Sequence, residues 1–228
     1  MRISADLYER AAGFGLALPL DAKRRARIAA VRRAGVIFIH VPKNAGMAVS
    51  QALYGMQIKH ASVRYFAALA PSEWKRLPTF AVLRDPVDRF RSAYRYARAG
   101  GGSDNRVSPV FAERYRAFGG IDDALDHVEA ARSPYGVDHI FRPQCWYLTD
   151  RRGAIAVDHL ALIERVGDLL DTLSITPAGP LRHVNRTEGS DPVLTRGQAD
   201  RIRRIYADDL ELFDQVARSD GLARLRGD

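Results

Sequence analysis

The hydrophobic residues of this chain form short runs that are separated by longer stretches with helical spacing. Four runs are apolar at every position, at residues 36–39, 80–83, 155–157 and 160–163. Apolar runs of this length are typical of strands that are buried on both faces of a sheet. Because helical patterns separate the runs, the chain predicts an α/β fold, with a central, mostly parallel sheet flanked by helices in three layers.

Helix signals follow the first two apolar runs. After the turn 42–46, a helical stretch extends to Tyr54 and is closed by Gly55, a residue that commonly ends helices. After the second run, Asp85 can cap a helix that has Pro86 in its first turn. That helix carries an apolar stripe, which consists of Val87, Phe90, Tyr94 and Ala97.

Further helices are predicted at the two ends and in the middle of the chain. Residues 1–34 predict two short basic helices that are split near Pro19, and residues 121–131 predict another helix. Thr195 and Gln198 have the spacing of a capping box. They open one final amphipathic helix, with apolar positions at Ile202, Ile205, Phe213 and Val216.

Composition narrows the class of protein. The chain has 228 residues, and we expect one domain over residues 35–228 that follows a basic helical extension over residues 1–34. The single cysteine, Cys145, excludes an internal disulfide framework and a multi-cysteine metal site. No apolar run is long enough to span a bilayer, and Asp6 and Glu9 do not fit a secretory signal. We therefore expect a soluble, cytoplasmic protein without a transmembrane segment.

The net charge of +8 predicts an anionic partner. Part of this charge precedes the first predicted strand, in Lys23, Arg24, Arg25, Arg27, Arg32 and Arg33. Such a run is equally typical of a solvated helix face. Nucleic acid, a nucleotide with several phosphates and an acidic glycan all fit the charge, but the chain lacks the interleaved aromatic residues that single-strand binding favours.

A tight turn after the first predicted strand has the features of an anion site. It contains Lys43 and Gly46, and a predicted helix begins behind it. Backbone N–H groups at such a turn, together with the helix N-terminus, can bind a tetrahedral anion, and Lys43 adds a positive charge. The turn is not a Walker A loop, because G-x-x-x-x-G-K-[ST] is absent and no hydroxyl follows Lys43 to hold magnesium.

A second basic motif follows the second predicted strand. Arg84 stands where this strand ends, and a guanidinium can bind a phosphate through two parallel hydrogen bonds. Ser92 follows two helical turns later, on a face that also carries Asp85, Asp88 and Arg89. Both motifs lie beyond the carboxyl ends of strands, where open α/β sheets bind ligands. The structural alternative is that Arg84 pairs with a core carboxylate and Ser92 faces small side chains.

The two motifs together resemble the nucleotide-binding motifs of sulfotransferases that use 3′-phosphoadenosine 5′-phosphosulfate (PAPS). FIHVPKNAGMAVSQAL is similar to the family's 5′-phosphosulfate loop, and FAVLRDPVDRFRSAY is similar to the strand and helix that bind the 3′-phosphate. The most similar group is the carbohydrate type, which includes heparan 2-O-sulfotransferases and many bacterial members. Residues 59–69, 141–169 and 183–187 resemble the family's histidine segment, its proline–glutamine helix with the strands that follow, and its loop before the last helix.

The resemblance implies a P-loop-like fold and a role for each matching residue. Lys43 would contact the 5′-phosphosulfate and its bridging oxygen, Arg84 and Ser92 would bind the 3′-phosphate, and His60 would act as the general base. The rest of the cofactor loop would comprise Asn44, Ala45, Gly46, Met47 and Ala48. Asn44, Met47 and Ala48 replace hydroxyl residues that are usual in the family, although the Asn44 amide can still donate a hydrogen bond.

The implied reaction needs charge stabilisation and a base. Lys43 can neutralise the leaving phosphate as the sulfur–oxygen bond lengthens, and no metal is required. A neutral histidine, with an ordinary pKa of about 6.5, can take the proton of the acceptor hydroxyl. Among the six histidines, His60 is the first candidate on the resemblance and His139 the second, and a carboxylate such as Glu73 is a further alternative.

Two other functions stay open on the sequence. A nucleotide kinase or NTPase on the same fold is disfavoured by the missing Walker residues. A catalytically degenerate protein that binds adenosine 3′,5′-bisphosphate (PAP) or another nucleotide fits the charge and the altered loop at Met47. For the enzyme, we expect a hydroxyl-bearing acceptor, with a saccharide or glycolipid favoured over a small metabolite or peptide tyrosine. Nucleic acid is not expected as a partner, and the oligomeric state is not predicted.

Overall fold

A four-stranded sheet forms the centre of the computed structural model, which describes residues 6–58, 60–102, 105–177, 179 and 192–225. The strands, in their spatial order, are β1 (Ile37–Ile39), β2 (Thr79–Leu83), β3 (His159–Leu162) and β4 (Leu222–Arg224). The first three are parallel, and β4 is antiparallel to β3. The mostly parallel sheet that the apolar runs predict is therefore confirmed.

Helices connect the strands and cover the sheet. They are α1 (Leu7–Gly13), α2 (Ala22–Ala34), α3 (Gly46–Tyr54), α4 (Val63–Leu69), α5 (Pro71–Arg76), α6 (Pro86–Arg98), α7 (Pro109–Arg116), α8 (Ile121–Glu129), α9 (Gln144–Leu148), α10 (Val166–Thr172), α11 (Arg196–Ile205) and α12 (Ala207–Ala217). Every residue of β1 and β2 is buried. Because side chains alternate between the two faces of a strand, both faces of the sheet must be covered, which is compatible with three layers.

The predicted helix ends after β1 and β2 are confirmed. The Asp85 carboxylate accepts the N–H of Asp88 at 2.9 Å, and Pro86 is the first residue of α6. Gly55 follows α3 with φ of 65°, the left-handed conformation in which glycine carries no Cβ penalty. In the apolar stripe of α6, Phe90 and Ala97 are buried in a second core that α6 shares with α7, α8 and α11.

Two predicted elements are wrong. Residues 155–157 do not form a strand, because their only ladder contact is an isolated bridge between Thr149 and Ile155. The single helix expected after Thr195 is two helices that break at Tyr206, although the predicted capping box is present. At the break, the buried Tyr206 hydroxyl donates to the Phe141 carbonyl at 2.7 Å.

The N-terminal helices pack against the rest of the fold. The pair predicted around Pro19 is confirmed as α1 and α2, and α1 packs on α4 while α2 packs on α3. Asp6 forms an ion pair with Arg142 at 2.6 Å. Among the described residues, no helix combines the length and the apolar character that a bilayer-crossing segment needs.

Candidate functional site

The loop between β1 and α3 has an unusual backbone. Lys43 and Ala45 have φ of 70° and 55°, in the left-handed region. A residue with a Cβ pays roughly 1–2 kcal/mol for this conformation, and such strain is concentrated at functional sites. The strained turn directs the chain from the end of β1 into the N-terminus of α3.

Three successive amides of this loop are available to an anion. Within the described part of the chain, the N–H groups of Asn44, Ala45 and Gly46 make no well-aligned hydrogen bond to a protein acceptor. The N–H of Ala48 is already used, because it donates to the Ala45 carbonyl at 3.0 Å. The positive end of the α3 dipole adds to the attraction for negative charge.

The side chain of Asn44 is directed into the protein. Its Nδ2 donates to the Val82 carbonyl at 2.7 Å and to Gln144 Oε1 at 2.6 Å, and the residue is buried. Both amide hydrogens are thus committed, so only the backbone N–H of Asn44 can serve a ligand. The side chain instead joins the loop to β2 and α9.

Gly46 is required for close packing against a histidine ring. Its φ is not in the left-handed region, but a Cβ at this position would overlap the His40 imidazole. His40 is buried, and its Nδ1 lies 3.0 Å from the Ile58 carbonyl. The glycine therefore lets the start of α3 approach the residue that follows β1.

The second basic motif meets the first one. Arg84 Nη1 lies 3.4 Å from the Lys43 carbonyl, and Gln144 Oε1 accepts the Arg84 N–H at 3.2 Å. No carboxylate of the described residues pairs with Arg84, so the structural alternative of a core ion pair does not hold there. The Lys43 ammonium lies 4.3 Å from the centre of the Tyr96 ring on α6. The two cations thus come from the ends of adjacent parallel strands.

Residues of α6 complete this edge of the site. Ser92 is buried, and its hydroxyl makes no hydrogen bond within the described ranges. Arg89 is also buried but is structural, because it donates to the carbonyls of Pro42, Ile140 and Arg142 at 2.7–3.2 Å. The sequence placed Arg89 and Ser92 on one helix face but did not show that Arg89 supports the loop.

Three histidines from different segments meet beside the loop. The ring centres of His40 and His60 are 4.0 Å apart, and those of His60 and His139 are 4.9 Å apart. His60 and His139 are the first and second candidates for the base on the sequence, and the structure brings them together. Their convergence with His40 could not be inferred from the sequence, where the three are far apart.

The hydrogen bonds of the rings fix their tautomers. His60 Nδ1 lies 3.1 Å from the His40 carbonyl. Because a carbonyl can only accept, this Nδ1 carries the proton, and Nε2 of a neutral His60 holds the lone pair that a base needs. His139 Nδ1 is bonded to the Asp138 carboxylate at 2.5 Å.

The surroundings keep His60 neutral. Burial lowers the pKa of His60 well below its ordinary value, and the neighbouring His40, His139 and Lys43 act in the same direction. Burial also lowers the pKa of His40 to about 4. The His40 ring lies against Gly46 of the loop, and its centre is 4.0 Å from that of His60, so the histidines adjoin the loop.

The side chain of Asp138 is a buried carboxylate that contacts the His139 ring. Burial would raise the pKa of Asp138, but the hydrogen bond and charge of His139 and the N–H groups of Ser108 and Ile140 lower it. These amides donate at 2.7 Å and 3.2 Å. The fixed carboxylate orients the ring, as an acidic partner does for a catalytic histidine.

The remaining candidates lie outside this cluster or outside the described residues. The carboxylate of Glu73 is in an ion pair with Arg32 at 2.5 Å, so this alternative base is already partnered. The histidine of segment 183–187 lies outside the described residues. No group of three or more His, Cys, Asp or Glu side chains in the described ranges is arranged to hold a metal ion.

Searches of protein-family models, of curated proteins and of solved structures each find no match to this chain.

Proposed function

We propose that this protein is a sulfotransferase that moves the sulfuryl group of PAPS to a hydroxyl of an acceptor molecule. A saccharide or glycolipid is the acceptor class that fits the positive charge. PAPS carries two separate anionic groups, the 5′-phosphosulfate and the 3′-phosphate. A site for it therefore needs two cationic positions together with a base for the acceptor.

One observation carries the proposal: the two basic motifs adjoin each other and the histidines. Arg84 at the end of β2 lies 3.4 Å from the backbone of Lys43 in the loop after β1. In a P-loop-like arrangement, the loop amides and Lys43 would hold the phosphosulfate, and Arg84 with Ser92 would hold the 3′-phosphate. The His40 ring lies against Gly46 of the loop, and its centre is 4.0 Å from that of His60.

In the proposed reaction, the acceptor oxygen attacks sulfur in line with the bond to the 5′-phosphate oxygen. The new oxygen–sulfur bond forms as the old one breaks, and the acceptor proton passes to Nε2 of His60. Lys43 and the amides of Asn44, Ala45 and Gly46 stabilise the charge on the leaving phosphate. The products are the sulfated acceptor and PAP.

Binding of the product nucleotide tests the proposal. PAP should raise the melting temperature, because a ligand that binds only the folded state stabilises it by mass action. AMP should raise it much less, because it lacks the 3′-phosphate assigned to Arg84 and Ser92. Equal stabilisation by AMP, or the same difference between PAP and AMP in Arg84→Ala, would contradict the assignment. Incubation with radiolabelled PAPS and cell extract would then identify the acceptor.

A degenerate nucleotide-binding protein is the second candidate. The Asn44 side chain is committed to Val82 and Gln144, and Met47 and Ala48 bring no hydroxyl to the loop. A protein that binds PAP but transfers no label to any component of a cell extract would have this function instead.

A further inference from the structure

Large hydrophobic side chains are exposed together near the N-terminus. Phe14 is 80% exposed and Leu16 is 59% exposed, in a turn over residues 13–17 that we name the apolar turn. Leu7, on the helix that precedes the turn, is exposed as well. Single exposed hydrophobic residues are ordinary, but several in one place mark an interaction surface.

The apolar turn is an ordered structure. The N–H groups of Phe14 and Leu16 donate to the Ala11 carbonyl at 3.0 Å and 2.9 Å. Beyond the turn, the Tyr8 hydroxyl donates to the Pro19 carbonyl at 2.7 Å and fastens the chain to α1. The fold thus holds the two side chains outward, although their burial would stabilise the protein.

Cations surround the apolar turn. The Arg151 guanidinium lies against Gly15, so closely that a Cβ there would overlap it. Arg151 and Arg152 are exposed on the loop that the bridge between Thr149 and Ile155 closes. Lys23 and Arg25 are exposed in the first turns of α2, which follows directly along the chain. Arg25 donates to the Leu20 carbonyl and so stays close to the chain that leaves the turn.

Carboxylates near the turn only partly offset these cations. Asp21 forms an ion pair with Arg24, so this pair is neutral. Hydrogen bonds from backbone N–H groups, first that of Arg152, lower the pKa of Asp150 and keep it ionised. Among the described residues around the turn, Arg151, Arg152, Lys23 and Arg25 thus outnumber Asp150, and the surface is positive.

We propose that the apolar turn and the cations around it dock this protein onto an anionic phospholipid bilayer. Aromatic and aliphatic side chains on a polar surface enter the boundary between headgroups and acyl chains. Arginine and lysine beside them are attracted to the negative surface potential. A cleft of about 520 Å³ next to the turn is lined in part by Gly15, Asp150, Arg151 and Arg152, and the two arginines outnumber the carboxylate that a headgroup phosphate would meet there.

A second copy of this chain is a poorer occupant of the surface. Two identical faces that meet across a two-fold axis would bring Arg151, Arg152 and their neighbours together with like charge. A lipid surface meets the same cations with opposite charge. The inference goes beyond the proposed sulfuryl transfer and does not depend on it, because neither Phe14 nor Arg151 belongs to the loop after β1.

Sedimentation of the full chain with lipid vesicles tests the docking. We expect it to sediment with vesicles that mix phosphatidylglycerol and phosphatidylcholine, and much less with phosphatidylcholine alone. Phe14→Ser combined with Leu16→Ser should weaken the binding by about tenfold or more, because two large apolar side chains no longer enter the interface. Arg151→Gln with Arg152→Gln should weaken it by a similar or smaller factor and reduce its dependence on salt.

Matched controls separate docking from general charge effects. Val110→Ser removes a side chain that is 83% exposed on α7, and Arg203→Gln with Arg204→Gln removes two exposed charges from α11. Both should bind vesicles like the wild type. Absence of wild-type binding, equal losses in the controls, or binding that survives loss of Phe14 and Leu16 would overturn the proposal. So would a dimer that this double substitution dissociates. Stabilisation by PAP should be unchanged in all variants, which separates failure of docking from failure of the proposed enzyme.

Discussion

The strand ends and the helical half of the molecule use arginine in opposite ways. Arg201 on α11 forms ion pairs with Asp122, Asp126 and Glu129 on α8, at 3.2, 2.6 and 2.6 Å. At the end of β2, the Arg84 guanidinium makes one long hydrogen bond among the described residues, from Nη1 to the Lys43 carbonyl at 3.4 Å. Carboxylates of the protein neutralise the charge of Arg201, whereas no carboxylate of the described residues pairs with Arg84, which we propose binds an anion. The ion-pair partners of an arginine, more than its presence in the sequence, therefore distinguish a candidate binding group from a structural one.

Loss of the base should have the largest effect at the strand ends. His60→Ala is expected to lower kcat by about 10²–10⁴, the usual contribution of a positioned base. PAP binding should hardly change, because His60 is not assigned to a phosphate. Because burial lowers the pKa of His60, and His40, His139 and Lys43 act in the same direction, the acid limb of kcat should lie well below the ordinary histidine pKa of about 6.5. Turnover measured against pH gives both quantities.

Two variants decide between the histidines. His60→Asn keeps a polar side chain but no base, so an active His60→Asn would rule out the assignment. His139→Ala would then identify the second candidate, which the Asp138 carboxylate orients. If His139 is the base, Asp138→Asn should lower kcat together with His139→Ala, because the amide does not stabilise a protonated ring.

Lys43→Ala should have the next largest effect on turnover and should leave the fold intact. Lys43 is partly exposed on a turn, so it contributes little to the core. Its charge is assigned to the leaving phosphate, and loss of such a group costs about 10²–10³ in kcat. Single-turnover rates at saturating PAPS measure the loss, with the melting temperature as the control. Near-normal turnover would remove Lys43 from the mechanism.

The local features of both regions could be predicted from the sequence. Strand runs, the Asp85 cap, the capping box at Thr195 and the two basic turns each depend on residues that are close along the chain. Contacts between distant segments could not. The helix break at Tyr206 accompanies hydrogen bonds from its hydroxyl to Phe141 and from the Gln144 and Cys145 amides to the Asp209 carboxylate, none of which leaves a periodic pattern.

The same limit applies to the candidate site. Sequence motifs identified the candidate site residues Lys43, Arg84, Ser92 and His60. They did not identify the residues whose hydrogen bonds hold the site in place. Arg89 holds the loop through the Pro42 carbonyl, and Asn44 turns inward to Gln144, a hundred residues away along the chain. Similarly, Glu9 of the N-terminal helix accepts the Ser62 hydroxyl at 2.7 Å at the start of α4. These contacts depend on the three-dimensional arrangement of whole elements.

His40 lies at the strand ends beside the candidate binding groups, but we expect it to affect the stability of the protein and its pH dependence. Burial lowers its folded pKa to about 4, whereas the unfolded chain has the ordinary value of about 6.5. Between these values the unfolded state binds more protons, so stability is full above about pH 6.5 and falls as the pH drops towards 4. The loss from this residue is about 3 kcal/mol.

Urea unfolding of the wild type and His40→Gln at several pH values measures this effect. His60 acts in the same direction, and Asp209 in the opposite one because burial raises its pKa. The difference between the two proteins cancels the contribution of Asp209 and leaves that of His40, together with the effect of His40 on the pKa of His60. An equal pH dependence of the wild type and His40→Gln would show that His40 is not buried in its neutral form.

Arg201→Ala, in the helical half of the molecule, should have the smallest effect on stability among these substitutions. Its three carboxylate partners are each at least 41% exposed, and solvent and salt screen charges in such positions. We expect the melting temperature to fall by no more than a few degrees, and by less at high salt. Stabilisation by PAP should be unchanged, because this charge is already neutralised by carboxylates of the protein.

The opposite pattern is expected for Arg84→Ala, with little change in the melting temperature of the nucleotide-free protein and loss of the stabilisation by PAP. If Arg201→Ala weakened PAP binding as much as Arg84→Ala does, the partners of an arginine would not distinguish the two roles in this protein, and the assignment of Arg84 to the 3′-phosphate would lose its structural basis.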